Sequence, residues 1–169
     1  MTAQLGLLRH AKSAYPPGVP DYRRPLGDRG VRDAPVAGRL ARQRMGDPDL
    51  VLVSGATRTR ETWDLARAAW PHPPHVVFDD RIYEASVDEL MLLLREVDLS
   101  RARVLLVGHN PGLEELAFAI SDGRGDPQAT SAMGTKFPTS ALALFDIEGG
   151  WAHLAAEHGR LRSFDIARG

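Results

Sequence analysis

The sequence predicts a three-layer α/β sandwich built on a mostly parallel sheet, and three observations carry that expectation. Short apolar runs of strand length alternate with segments of helical periodicity in the order βαβαβαβα. Two more apolar runs near the C-terminal end flank Glu148-Gly149-Gly150 and read as a hairpin. Three of the strand candidates end in residues suited to a phosphoryl group: Leu7-Leu8-Arg9-His10, Val51-Leu52-Val53-Ser54 ahead of Arg58, and Val104-Leu105-Leu106-Val107-Gly108-His109. Parallel strands present such ends at one carboxyl edge, where open α/β sheets bind their ligands.

The 169 residues, 43% of them hydrophobic and 25% charged, suit one domain spanning 1–169 with one core. A chain of this size buries about 70% of its extended surface. A net charge of −1 gives no general pull toward nucleic acid or an anionic membrane, so neither is an expected partner, and an anion site must concentrate arginines locally. Cysteine is absent, which excludes disulfides, zinc–thiolate sites and thiol catalysis. With neither a signal-like N-terminus nor an apolar run of bilayer length, a cytoplasmic protein is expected.

Each element has its own signal. Residues 4–8 form a buried strand, and residues 14–27, rich in Pro, Gly and Tyr, are too punctuated for regular structure. Val31, Ala34, Gly38, Ala41 and Met45 keep helical spacing; because Pro35 would break an interior turn, Asp33 is the expected cap with Pro35 in the first turn. A second strand at 50–53 leads to a helix over 57–70 that buries Trp63, Ala66 and Trp70 and stops at the proline run 71–74. After a short third strand at 76–78, Ser86-Val87-Asp88-Glu89 is a capping box ahead of the helical face Val87, Leu90, Met91, Leu94 and Val97. The fourth strand, 103–107, precedes Asn110-Pro111, an N-cap and first-turn pair for a helix whose positive end points at the site. A Gly/Asp/Pro loop at 121–127 precedes the hairpin strands 140–147 and 151–156.

The chemistry follows from what the sheet edge would gather. A neutral imidazole is a nucleophile that needs no metal, and guanidinium forks hold phosphoryl oxygens in fixed geometry. Singly, each residue has an ordinary reading: His10 as a strand-end histidine on backbone, Arg58 as a solvated helix-start arginine, His109 as a satisfied histidine under Asn110. Their convergence on one edge favours a dianion site made by Arg9, His10, Arg58 and His109. Ser13 and Asn110 could add oxygen contacts, although Ser13 is equally readable as a turn residue. Glu84, between the third strand and the Ser86 cap, is either a rim carboxylate able to protonate a leaving group or an exposed loop carboxylate. His72 and His75 flank prolines, His153 and His158 lie in or after the last expected strand without carboxylates at ligand spacing, and no H-E-x-x-H motif or cysteine cluster exists, so neither a metal nor another cofactor is expected.

Three ordered motifs carry a family resemblance. Leu8-Arg9-His10-Ala11-Lys12-Ser13 resembles the Arg-His-Gly signature of the histidine phosphatase superfamily, whose fold is phosphoglycerate-mutase-like, with Ala11 in place of the usual glycine. Ser54-Gly-Ala-Thr-Arg58-Thr-Arg-Glu-Thr62 is similar to its second arginine motif, and Gly108-His109-Asn110-Pro111-Gly112 to its second histidine motif. Arg24-Pro25-Leu26, Lys136-Phe-Pro-Thr-Ser-Ala141 and the short length resemble the bacterial protein-phosphohistidine phosphatase branch. The resemblance implies that His10 attacks phosphorus and is phosphorylated, that Arg9, Arg58 and His109 hold the equatorial oxygens, and that water then hydrolyses the phosphohistidine. Two guanidinium groups should keep His10 neutral by lowering its pKa. Short connections leave an open rim, so the expected substrate is a phosphohistidine-bearing protein. A small phosphorylated molecule comes second, and a non-catalytic phosphate-binding module third, disfavoured by the intact His10.

Overall fold

The computed structural model describes residues 2–169; Met1, the first residue of the expected 1–169 domain, lies outside the described residues. In chain order the elements are β1 (Ala3–Arg9), α1 (Asp28–Met45), β2 (Leu50–Val53), α2 (Thr57–Ala66), β3 (Val76–Phe78), α3 (Val87–Arg95), β4 (Arg103–Gly108), α4 (Gly112–Ile120), α5 (Pro127–Thr135), β5 (Ala141–Ile147) and β6 (Gly159–Ile166). They build one sheet in the order β3-β2-β4-β1-β5-β6, parallel from β3 through β1 and antiparallel across β5 and β6. The expected three-layer α/β fold with a mostly parallel sheet is therefore present. Among the described residues no helix is long and apolar enough to cross a membrane.

Strand alternation divides the core between the two faces of the sheet. Leu5, Leu7, Val104 and Leu106 face α3, α4 and α5 with Leu90, Leu94, Leu113, Leu116 and Met133, whereas Leu8, Val51, Val53, Leu105 and Val107 face α1 and α2 with Ala37, Ala41 and Trp63. The α1 and α2 backbones touch because position 38 is glycine: a Cβ there would run into the Ala66 carbonyl. In α3 the capping box is complete, with Glu89 N–H donating to Ser86 Oγ and Ser86 N–H to Glu89 Oε2.

Several boundaries differ from the sequence reading. The first helix starts at Asp28 with Gly27 as its cap and runs straight through Pro35. Asp33 is no cap; its buried carboxylate accepts the Gly169 N–H at 3.0 Å and pairs with Arg29 and Arg168. Burial of Gly30, Ala34, Ala37, Gly38, Ala41 and Met45 holds the helix through the turn that the proline weakens, and Val31, expected on that face, is 48% exposed. α2 ends at Ala66 and tightens into a 3₁₀ turn, Arg67–Ala69, yet Trp63, Ala66 and Trp70 are buried as the pattern required. The cap of α4 is Pro111 rather than Asn110. The Asn110 amide instead donates to the Phe137 carbonyl at 3.0 Å and to Glu114 at 3.2 Å, so it is spent tying the helix start to the segment before β5. The loop expected at 121–127 leads into an additional helix, α5, which Asp126 caps through the Ala129 N–H and Pro127 opens. Residues 151–156 are no strand: Trp151–His153 is a 3₁₀ turn, because Trp151 and Leu154 enter the same core at helical spacing, and the strand partner of β5 is β6.

Candidate active site

Three parallel strands end level. Arg9 stands opposite Gly108 and Val53 opposite Val107, and the ladder continues one residue beyond the strands through His10 N–H to the Gly108 carbonyl and Ser54 N–H to the Val107 carbonyl. The residues that follow β1, β2 and β4 are consequently neighbours at one edge, as open parallel sheets require. Arg58 joins them from the first turn of α2. Thr62 locks that helix to the strand end, its hydroxyl accepting the Ala11 N–H at 3.0 Å and donating to the Arg58 carbonyl at 2.6 Å.

Here a cleft of about 440 Å³ opens, and Arg9, His10, Ser13, Arg58, Glu84, His109 and Asn110 all line it, so every candidate site residue reaches one place. The His10 and His109 rings lie 5.3 Å apart. His10 Nδ1 sits 2.7 Å from the Ala11 carbonyl, which only an N–H can approach as a donor; Nε2 therefore carries the lone pair, and Arg58 Nε–H faces it at 3.3 Å. His109 Nε2 meets Ser54 Oγ at 2.8 Å, with Tyr83 packed edge-on against its ring. Arg9 donates through Nη1 to the Phe137 carbonyl at 2.9 Å, while its Nε and His109 Nδ1 are buried without a protein partner. The Arg9 and Arg58 guanidinium groups that line this cleft offer charge-assisted donors to the oxygens of an anion. The remaining candidates are less available. Ser13 Oγ accepts from Arg24 at 2.9 Å, the Asn110 amide hydrogens are engaged as described, and Glu84 stands exposed on the rim with φ of 56°.

Electrostatics favour neutral rings. Burial, followed for His10 by His109, Arg58 and Arg9, pushes its pKa down to about 3 against the opposing Ala11 hydrogen bond. His109 also falls to about 3, through burial first and then Arg58. Burial likewise lowers Arg9. Behind these side chains lies a group of residues that no sequence motif marks. Asp21 accepts from Tyr83 Oη at 2.6 Å, Arg24 Nε at 3.0 Å and Arg58 Nη2 at 3.2 Å. The Tyr83 hydroxyl, ahead of Arg58 and Arg24, holds the Asp21 carboxyl down to about 2, and Asp21 in turn pushes the Tyr83 phenol up to about 12. Only the clustering of Tyr15, Asp21, Tyr22 and Arg24 in the otherwise irregular 14–27 loop hinted at this.

Among the described residues, no group of three or more His, Asp or Glu side chains is placed to hold a metal ion. An arrangement of this kind can bind a phosphoryl dianion, present a neutral imidazole nitrogen to phosphorus and stabilise charge on the equatorial oxygens.

No family model matches the chain. Uncharacterized proteins from Mycobacterium leprae and Mycobacterium tuberculosis are 34% and 35% identical to it, each covering 95% of this chain and matched over 100% of its own length. Among solved structures, a protein from Agrobacterium tumefaciens provisionally named phosphohistidine phosphatase SixA is 32% identical, with a TM-score of 0.79 over 97% of this chain and 98% of its own. Its counterpart from Nakamurella multipartitia, provisionally named in the same way, is 28% identical with a TM-score of 0.86 over 99% and 97%. The protein histidine phosphatase SixA complexed with tungstate shares the fold at a TM-score of 0.72 and 20% identity over 98% and 96%.

Proposed function

The chain belongs to the histidine phosphatase superfamily, and from that premise we propose that it hydrolyses phosphohistidine on a protein through a covalent phospho-His10 intermediate. The observation that carries the reading is the tautomer of His10: Nδ1 is occupied by the Ala11 carbonyl, which leaves the Nε2 lone pair as the nucleophile beside Arg58. In the first step Nε2 attacks phosphorus in line, the P–N bond forms, and the bond to the leaving nitrogen breaks as that nitrogen departs with a proton. Arg9, Arg58 and His109 hold the three equatorial oxygens, and the Nδ1–H bond to Ala11 strengthens as the ring gains positive charge. Water then attacks phospho-His10, returning neutral imidazole and phosphate. The nucleophile is a side chain, so this scheme requires no metal and no other cofactor.

Glu84 is the proposed proton donor, on the strength of its place on the cleft rim. Ser13, and Asn110 through its backbone N–H, are assigned to the phosphate-binding wall. An exposed rim, with Tyr15 70% exposed at its mouth, supports a protein-borne phosphoryl group, as do the names given to the two bacterial relatives. This reading treats the chain as one cytoplasmic domain, in keeping with a cysteine-free sequence. One observation favours a small phosphomonoester instead: Arg24 adds another guanidinium to the cleft wall, suited to a second anionic group. Hydrolysis rates on a phosphohistidine protein and on a panel of small phosphoesters, compared at equal enzyme, decide between the two. The phosphohistidine protein should be turned over fastest. Faster turnover of a sugar phosphate would make the small-molecule reading the correct one.

A further inference from the structure

We propose that Asp21 is a positioning residue that aims Arg58 at the reacting imidazole, an assignment that rests on the phosphatase reading above. A 3₁₀ turn, Asp21–Arg23, brings this residue against the guanidinium, so that both terminal nitrogens of Arg58 are held by one partner. Nη1 donates to the Asp21 carbonyl at 2.7 Å and Nη2 to its carboxylate at 3.2 Å. A guanidinium is planar; fixing two of its nitrogens fixes the plane and therefore the direction of the third, Nε, which points at His10 Nε2. Asp21 is itself braced by Tyr83 Oη and Arg24 Nε, and Tyr83 packs edge-on against His109. One exposed loop residue is thus linked by contact to both cleft histidines.

The same carboxylate sets negative charge against an arginine that a phosphoryl dianion also needs. It should therefore weaken ground-state binding of phosphate while holding Arg58 ready for the transition state, two effects of opposite sign. A residue that served only to hold the loop together would lower both when removed.

Asp21→Ala and Asp21→Asn test this against the wild type, read by kcat on a phosphohistidine protein, by the dissociation constant of inorganic phosphate and by Tm. Asp21 has a side chain 52% exposed, so Tm should hardly move. In Asp21→Ala, kcat should fall on the order of 10²-fold, the cost of a misplacement near 1 Å, while inorganic phosphate binds several-fold more tightly. Asp21→Asn retains an acceptor for Arg58 and should recover part of kcat, with phosphate binding still tightened. Unchanged kcat, or a joint loss of kcat and phosphate affinity in both variants, overturns the proposal. Wild-type inactivity on every phosphorylated substrate is a separate failure, which overturns the phosphatase reading and the role of Asp21 with it.

Discussion

Moving from pH 7 to pH 5 should cost this protein about 4 kcal/mol of unfolding free energy through His10 and His109 alone. Burial and the neighbouring guanidinium groups push both imidazoles down to about 3 in the folded chain. In the unfolded chain a histidine titrates near its ordinary value of about 6.5. Between those two values the unfolded chain takes up protons that the folded chain refuses, so stability falls as the pH drops through that window. At pH 5 an unfolded imidazole is almost fully protonated and a buried one almost fully neutral, which at 1.36 kcal/mol per pH unit gives about 2 kcal/mol per histidine relative to pH 7. Any folded value well under 5 gives the same figure. Denaturant unfolding at both pH values, on the wild type and on the His10→Asn/His109→Asn double variant, isolates this contribution from that of the other histidines. The wild type should lose about 4 kcal/mol more than the double variant, and each single variant should recover about half. Equal pH dependence in wild type and double variant would refute the claim that these rings are held neutral by burial.

Arg58→Ala and His109→Ala should each reduce kcat by about 10²–10³, the cost of one positioned transition-state donor, with thermal unfolding still cooperative; near-normal turnover or loss of the fold would make them structural residues. Glu84→Gln should slow the hydrolysis of alkyl phosphates much more than that of aryl phosphates or phosphohistidine, whose leaving groups need less protonation; equal slowing of all three removes Glu84 from the acid role. Gly38→Ala should destabilise the protein by about 1–3 kcal/mol, measured by denaturant unfolding, because its methyl would collide with the Ala66 carbonyl between α1 and α2.

The strand ends were legible because two signals coincide at each of them: an apolar run of strand length, and a polar residue that has no reason to follow it unless a ligand waits there. Arg9, His10 and His109 fall in that class, and Arg58 comes four residues after Ser54, in the first turn of α2. Glu89 could be read as a capping residue because Ser86 stands three positions ahead of it. Asp33 misled for a local reason: next to Pro35 it has the pattern of a cap, and only the packing of Gly30 and Gly38 against other backbone reveals a continuous helix. Asn110 misled similarly, since its amide is claimed by Phe137, a partner 27 residues away. Residues 151–156 look like a strand because Trp151 and Leu154 are large and apolar, a trait that tertiary burial uses equally well in a turn. The Asp21 brace was illegible because its partners Arg58 and Tyr83 come from elements 37 and 62 residues further along the chain.

Covalent transfer to His10 can be trapped by quenching a reaction in alkali, since phosphohistidine survives base and decays in acid. Wild-type protein mixed with a phosphorylated substrate in the presence of EDTA should carry an acid-labile phosphoryl group that peptide mapping places on His10, and His10→Ala should carry none. A phosphoryl group on another residue, an undiminished phosphoenzyme in His10→Ala, or turnover that EDTA abolishes and a divalent metal restores would contradict it.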